Sequence, residues 1–342
     1  MATATKNGHE SQQPVVRVAL CEVGEGQTAQ FYAAITARDK RMTKNNKPYF
    51  HLELCDRKRR VAARVWSDSE SYNQCDRIWR IGMHLFVHAR HDPEWNQMLV
   101  LTARPVNDAD RKDGYDPNLL IPQTRFDIET MFEELVGIAR TIENESLREV
   151  VLYLLTSNEE KFKIHPAASR NHHAYRGGLL EHTLSVVHNG LMLIEKYRKY
   201  YSDYTPPLNK DLVVAGCILH DIGKLVELQS DADDISYTKP GVLVGHIIVG
   251  RDMLRDAARE VGGLDPEMLL LLEHVILSHQ YMKEWDSPKE PAFPEALLVH
   301  FADDVDAKMN MYMTILEGAP EGADFSDTNN IFRRKLLHKR TI

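Results

Sequence analysis

Near residue 107 the hydrophobic rhythm of this chain changes from a period of two to one of roughly three and a half, so no single layer of secondary structure can hold both halves. From about residue 15 to 106, short apolar runs alternate with polar residues and are broken by turns. Phe50, Leu52 and Leu54 fall on one face of such a run, with His51, Glu53 and Cys55 on the other. A basic turn, Arg57-Lys58-Arg59-Arg60, follows, and Val61, Ala63 and Val65 resume the alternation up to Trp66. That is a hairpin pattern. Further runs over residues 85–89 and 98–103 bring the strand count near five, which suits a small barrel better than an open sheet.

Residues rich in Asp, Pro and Gly then break the pattern. After them Met131, Leu135 and Ile138, then Leu147, Val150, Val151 and Leu154, recur at helical spacing, as do Leu179, Leu180, Thr183, Val186, Val187, Leu191 and Ile194. The chain therefore reads as multidomain. Residues 1–14 are expected to be disordered, 15–106 to form an all-β barrel, 107–124 a linker, 125–318 an all-α domain and 319–342 a tail with a basic cluster at Arg333, Arg334, Lys335, Lys339 and Arg340. A length of 342 residues suits about two domains.

The net charge of −8 argues against coating nucleic acid through bulk positive charge, so a polyanion must meet a local basic patch or a bound metal. The four cysteines, Cys21, Cys55, Cys75 and Cys217, form no Cys-x-x-Cys pair and suggest no disulfide framework. The polar N-terminus lacks the apolar core of a signal peptide, and no apolar run approaches the roughly 20 residues of a membrane span. The expectation is a cytoplasmic protein without a membrane partner.

Within the helical half, six residues carry metal-binding chemistry: His182, the doublet His220-Asp221, His246, His279 and Asp303. Imidazole and carboxylate are the side chains that hold divalent transition metals. The doublet closes the apolar helix formed by residues 212–219. Neighbouring helical residues diverge by about 100°, so the pair cannot grip one ion from one side; a carboxylate can instead bridge two ions while its neighbour binds one. Taken singly, each residue has an ordinary reading as a hydrogen-bonded core histidine or a solvated acid. His274 and His279, five apart, would not share a face of a straight helix.

The ordered words Asn171-His172-His173-Ala174-Tyr175, Gly177-Gly178-Leu179-Leu180-Glu181-His182-Thr183, His220-Asp221-x-Gly223-Lys224, Gly245-His246, Leu277-Ser278-His279 and Ala302-Asp303-x-x-Asp306-Ala307 resemble the HD-domain phosphohydrolases, and more closely the YhaM-type 3′–5′ exoribonucleases. The resemblance spans nearly the whole chain, and Phe325-Ser326-Asp327 and Arg333-Arg334 belong to it. It implies an N-terminal OB-fold followed by an all-α HD domain. It also implies that His182, His220, Asp221 and Asp303 hold one ion and that Asp221, His246 and His279 hold a second. Where relatives often carry a second histidine after the position of His279, this chain has Gln280, a poorer ligand, so the second ion is expected either to bind more weakly or to be completed by water. Mn²⁺ suits mixed imidazole and carboxylate ligands best, with Fe²⁺, Co²⁺ and Mg²⁺ also compatible.

Two such ions would perform phosphodiester hydrolysis. Asp221 is then catalytic, Lys224 is a candidate mobile contact to the substrate phosphate, and His274 is a candidate to orient a ligand or protonate the leaving group. OB-folds bind single strands by stacking bases on aromatics in a basic groove. Tyr49 and Trp66, with Lys44, Lys47, Arg57, Lys58, Arg59 and Arg60, are the candidates for that groove. The expected activity is release of nucleoside 5′-monophosphates from the 3′ end of single-stranded RNA, with single-stranded DNA a further substrate and a homo-oligomer an open assembly state. Two other functions compete. One is a phosphodiesterase or phosphatase of small nucleotides. The other is a strand-binding protein with a degenerate metal site, which Gln280 motivates.

Overall fold

A single long strand closes the N-terminal barrel. The computed structural model describes residues 16–43, 45–169, 172–231, 234–281, 287–317, 324–328 and 330–338, so the expected disordered N-terminus, residues 1–14, and Lys44, Lys339 and Arg340 lie outside the described residues. The chain divides into two units, Met1–Leu120 and Ile121–Ile342. The first holds β1 (Val16–Arg17), β2 (Thr28–Met42), β3 (Pro48–Cys55) and β4 (Arg60–Trp66), then a short helix α1 (Tyr72–Arg77), β5 (His84–Asp92) and β6 (Gln97–Pro105). Strand β2 pairs with β5 through residues 28–34 and with β3 through residues 34–42. A bulge between Ile35 and Ala37 marks the changeover, where the extra residue bends the strand from one partner to the other. β4 and β6 pair in parallel and complete the circuit of five main strands. The inward face is the one read from the alternation: Phe50, Leu52, Leu54 and Val65 are buried with Phe31 and Trp79.

Residues read as a linker pack onto the barrel as two 3₁₀ turns, Asp108–Asp113 and Pro117–Leu119. Asp110 anchors them. Its carboxylate takes two hydrogen bonds from Arg104, at 2.8 and 2.6 Å, and is held down to about 2 by that guanidinium.

The second unit contains α2 (Ile128–Ala139), α3 (Glu145–Ser157), α4 (Glu159–Ile164), α5 (Gly178–Tyr200), α6 (Lys210–Leu219) and α7 (Lys224–Glu227). A hairpin of β7 (Leu228–Asp231) and β8 (Asp234–Tyr237) interrupts the helices, and α8 (Lys239–Leu243), α9 (His246–Val261), α10 (Pro266–Ser278) and α11 (Pro294–Glu317) follow. Asp127, Asn144, Asn209 and Asp265 start α2, α3, α6 and α10 by accepting backbone N–H groups of the first turn. Helix α6 is apolar all round, with every residue from Leu212 to Leu219 buried, and so lies in the centre of the unit. Among the described residues no helix is long and apolar enough to cross a membrane.

The basic turn between β3 and β4 is not uniform. Asp56 shapes it by accepting the backbone N–H groups of Lys58 and Arg59 through Oδ1 and of Cys21 through Oδ2. Arg57 and Lys58 are exposed, and Arg60 reaches Glu53 at 3.6 Å. Arg59, expected in the strand groove, is half-buried, and its guanidinium donates to the carbonyls of Val23 at 2.7 Å and Leu20 at 3.4 Å. It serves as a brace. Arg59→Ala is therefore expected to lower barrel stability by about 1.5–3 kcal/mol in urea unfolding, because two charge-assisted hydrogen bonds to buried carbonyls are lost. Arg57→Ala and Lys58→Ala should each stay within about 0.5 kcal/mol.

Candidate metal centre

Four histidines of the second unit turn the same edge inward. His220 sits at the C-terminal cap of α6 and its Nδ1 donates to the Cys217 carbonyl at 2.8 Å. His279 caps α10 in the same way, with Nδ1 on the Ile276 carbonyl at 2.8 Å. A carbonyl can only accept, so in the neutral ring the proton lies on Nδ1 and the lone pair on Nε2. His182, on α5, donates from Nδ1 to Asp306 at 2.7 Å, and His246, at the start of α9, donates to Glu227 at 2.9 Å. All four Nε2 atoms thus face the space around Asp221.

Asp221 divides that space in two. Its Oδ2 lies 3.5 Å from Nε2 of both His182 and His220. Its Oδ1 lies 3.4 Å from Nε2 of His246 and 3.6 Å from that of His279. Asp303, from α11, adds Oδ1 at 3.2 Å from His182 and 3.8 Å from His220. Ligands about 2.1 Å from one ion lie roughly 3.0–3.4 Å apart, so both sets have the spacing of a coordination shell. Two further observations fit a cation. The Nε2 atoms of His182 and His220 approach to 3.2 Å, a contact that needs a proton or a metal cation between the two nitrogens. Among the described residues, Asp221 Oδ1 and His279 Nε2 are buried and have no hydrogen-bond partner. The donor set therefore has the chemistry that a divalent metal requires.

Electrostatics point the same way. Burial opposes ionisation of Asp221, but Lys224 and His220 hold its carboxyl well below the usual range. Burial likewise opposes a charged His182, yet Asp221, Asp303 and Asp306 draw its imidazole well above its ordinary value, so the cluster concentrates negative potential. Gln280 turns its side-chain amide to within 3.2 Å of His246 Nε2, at the edge of the second set.

Close backbone approaches fix these positions. A Cβ on Gly178 would lie 2.0 Å from the His173 carbonyl, and one on Gly223 would lie 2.0 Å from the His246 carbonyl. Glycine at these two places lets the loop before α5 and the first turn of α9 press against the helices that carry the ligands.

Two expected site residues are elsewhere or act differently. Lys224 was expected as a mobile phosphate contact, but it is buried with Nζ 2.7 Å from Asp221 Oδ2, an ion pair that a solvated lysine would not form. His274 lies on α10 one turn before the ligand and away from it: its Nε2 accepts the Ala292 N–H at 3.0 Å and its ring packs on Phe293. Two others were missed. Asp306 accepts from Nδ1 of His182, from Nε2 of His173 at 3.0 Å and from the Ser185 hydroxyl, and so orients the ligand behind it. Its i+3 spacing from Asp303 places both on one face of α11, which was the available signal. His172 lines, with Asp221, Lys224 and Asp303, a cavity of about 540 Å³ at the cluster.

On the barrel, Tyr49 and Trp66 are cross-strand partners with ring centroids 5.1 Å apart, and the Arg64 guanidinium lies 5.6 Å from each ring. Arg41 pairs with Tyr49 from β2, and Lys47 is exposed just before it. The turn from Arg57 to Arg60 is at the other end of the hairpin, where Cys55 pairs with Arg60, about 20 Å from the aromatic pair at roughly 3.3 Å per residue. The expected grouping of that turn with Tyr49 and Trp66 does not form. Arg64, unremarked in the sequence, takes the turn's place.

A family model described as the HD domain matches residues 179–308, a span that includes all six proposed ligands and Asp306. The 3′–5′ exoribonuclease YhaM of Shouchella clausii (strain KSM-K16) is 33% identical over 323 residues, covering 93% of this chain and 96% of that protein. The protein of the same name from Bacillus subtilis (strain 168) is 32% identical over 332 residues, covering 94% and 99%. At that identity over almost the full length of both partners, the chain belongs to the family of the 3′–5′ exoribonuclease YhaM.

Proposed function

We propose that this protein is a metal-dependent 3′–5′ exoribonuclease that hydrolyses single-stranded RNA to nucleoside 5′-monophosphates. The observation that carries the reading is the inward turn of four Nε2 atoms around one buried carboxylate whose two oxygens face separate histidine pairs. The full-length relatives support RNA as the substrate and the 3′ end as the start.

His182, His220 and Asp303 would hold one ion and His246 and His279 the other, with Asp221 shared, and Mn²⁺ is the ion this mixed set suits best. Such ions, when bound, polarise a phosphodiester and activate a water at neutral pH. Asp306, Glu227 and the carbonyls of Cys217 and Ile276 keep each imidazole in its ligand tautomer. Lys224 keeps Asp221 ionised and adds positive charge to a cavity that must accept a phosphate. In the reaction the water oxygen bonds to phosphorus and the bond to the penultimate 3′ oxygen breaks. One water proton is lost and the 3′ oxygen gains one, so the terminal residue leaves as its 5′-monophosphate.

The barrel is the strand-binding half in this reading, and we infer that it is an OB-fold. The bulged, doubly paired β2 and the five-strand closure support that assignment. Tyr49, Trp66 and Arg64 supply stacking surface, and Arg41 and Lys47 supply charge for the backbone. The four free cysteines accord with a reducing, cytoplasmic setting.

The first test is a time course on single-stranded RNA labelled at either end, with Mn²⁺ and with EDTA. Labelled monophosphate should appear at once from the 3′ label, while the 5′-labelled strand shortens gradually. Internal fragments, or activity that survives EDTA, would contradict the reading. Asp221→Ala should abolish hydrolysis and leave strand binding intact; full activity in that variant would remove the site assignment.

Asp306→Asn should weaken Mn²⁺ binding by about 10–100-fold in calorimetric titration of metal-free protein, the usual cost of losing a ligand's orienting carboxylate. Tyr49→Ala and Trp66→Ala, each made in the inactive Asp221→Ala background, should weaken RNA binding in fluorescence anisotropy by about 1–3 kcal/mol per stacked base. Unchanged affinity in both would move the strand off this face.

A further inference from the structure

The cavity at the Asp221 cluster is lined by two kinds of surface. Charged and polar groups, among them His172, Asp221, Lys224 and Asp303, line it, and Met311 of α11 with Ile331 and Phe332 contributes apolar surface. The last two come from a loop beyond α11 that no metal ligand requires. The loop is a built element. Ser326 N–H donates to the Leu336 carbonyl at 2.9 Å, Leu336 N–H returns to the Ser326 hydroxyl at 3.0 Å, and Leu336 is buried beneath it.

Phe332 is held at a chosen angle. Its N–H donates to Asn330 Oδ1 at 3.0 Å, and its ring lies 4.5 Å from that of Tyr312 on α11. The Arg334 guanidinium sits 5.7 Å from the Phe332 ring and bonds the Tyr312 hydroxyl. Despite this bracing Phe332 is only half-buried, and its neighbour Ile331 is 52% exposed. An aromatic ring fixed by its neighbours and left half open onto a phosphate-sized charged site meets the needs of an amphipathic ligand with a flat apolar end. A nucleotide is such a ligand, and about 540 Å³ lies within the range of roughly 300–1,000 Å³ found for small-molecule sites.

We propose that Phe332, flanked by Ile331 and Met311, is the seat for the base of the 3′-terminal nucleotide, whose 5′-phosphate lies at the Asp221 cluster. The proposal rests on the exoribonuclease reading and adds the subsite that positions the residue to be released. Stacking is tolerant of sequence because every base has a π-face, so all four terminal nucleotides would be accepted.

The test uses the full chain with Mn²⁺ and RNA trinucleotides, short enough that binding elsewhere contributes little. One ends in an ordinary nucleotide and the other in an abasic ribose. On the ordinary trinucleotide Phe332→Ala should raise KM about tenfold with kcat little changed, the effect of losing one stacked base. Phe332→Trp should restore it. On the abasic trinucleotide Phe332→Ala and the unaltered enzyme should have the same KM. Equal losses on both trinucleotides would show that Phe332 only supports the loop and would overturn the seat, as would an unchanged KM on the ordinary one. If the unaltered enzyme hydrolysed neither, the exoribonuclease reading would fall first and the seat with it.

Discussion

The carboxylate of Asp221 is a buried charge, and most of the second unit's local structure answers the problem that it creates. Removing a carboxylate from water costs several kcal/mol unless opposite charge and hydrogen bonds replace the solvent. Lys224 supplies one charge at 2.7 Å, but Asp303 and Asp306 add two further carboxylates within the same buried cluster. The cluster therefore attracts positive charge. His220 and His279 place Nδ1 on a backbone carbonyl and Nε2 toward Asp221, while Asp221, Asp303 and Asp306 draw positive charge onto His182. A bound divalent cation would add the opposite charge that these carboxylates attract. Cation binding would then also stabilise this core.

The ligands are aimed by a device used twice. His220 and His279 each occupy a helix C-terminal cap and donate Nδ1 to the carbonyl three residues back, Cys217 and Ile276. Those carbonyls have no intrahelical partner, so the ring satisfies them while fixing its own tautomer. The negative end of each helix dipole also favours positive charge beside these rings. His182 and His246 sit early in their helices instead, and there carboxylates, Asp306 and Glu227, do the same work. The close approaches at Gly178 and Gly223 then set how deeply α5 and α9 enter.

What could be read in the sequence was whatever depends on pattern. The change of period separates barrel from helices, and the apolar run before His220 marks α6 as central because no polar residue interrupts it. The order of the histidine and aspartate words points to residues that the fold gathers, with His182, His220 and Asp221 in one group and Asp221, His246 and His279 in another. Burial and register were less visible. Lys224 reads as a solvated lysine because nothing local shows that α7 is enclosed, and Arg59 reads like Arg57 because only the fold brings the Val23 carbonyl to it. Grouping Tyr49 with the turn at Arg57 assumed proximity along the chain, whereas the β3–β4 register puts them at opposite ends of one hairpin. Asp306 carries no local signal beyond its i+3 spacing from Asp303, and only the fold shows that both carboxylates reach His182.

The chemistry of two aromatic surfaces bears on what kind of nuclease this is. Arg64 with Tyr49 and Trp66 on the barrel, and Arg334 with Phe332 and Tyr312 beside the cavity, repeat one arrangement: an exposed or half-exposed ring backed by a guanidinium. Such a surface offers π-face and positive charge but no fixed pattern of donors and acceptors for a base edge. Affinity on it depends on having a base and a phosphate, with little dependence on which base. A processing enzyme that cuts at one sequence needs the opposite, a set of polar groups left unsatisfied by the wrong base, because that penalty is the main source of large discrimination. Rings backed by arginine therefore favour an enzyme that removes successive nucleotides whatever their identity, and they leave the choice of RNA to the accessibility of its 3′ end.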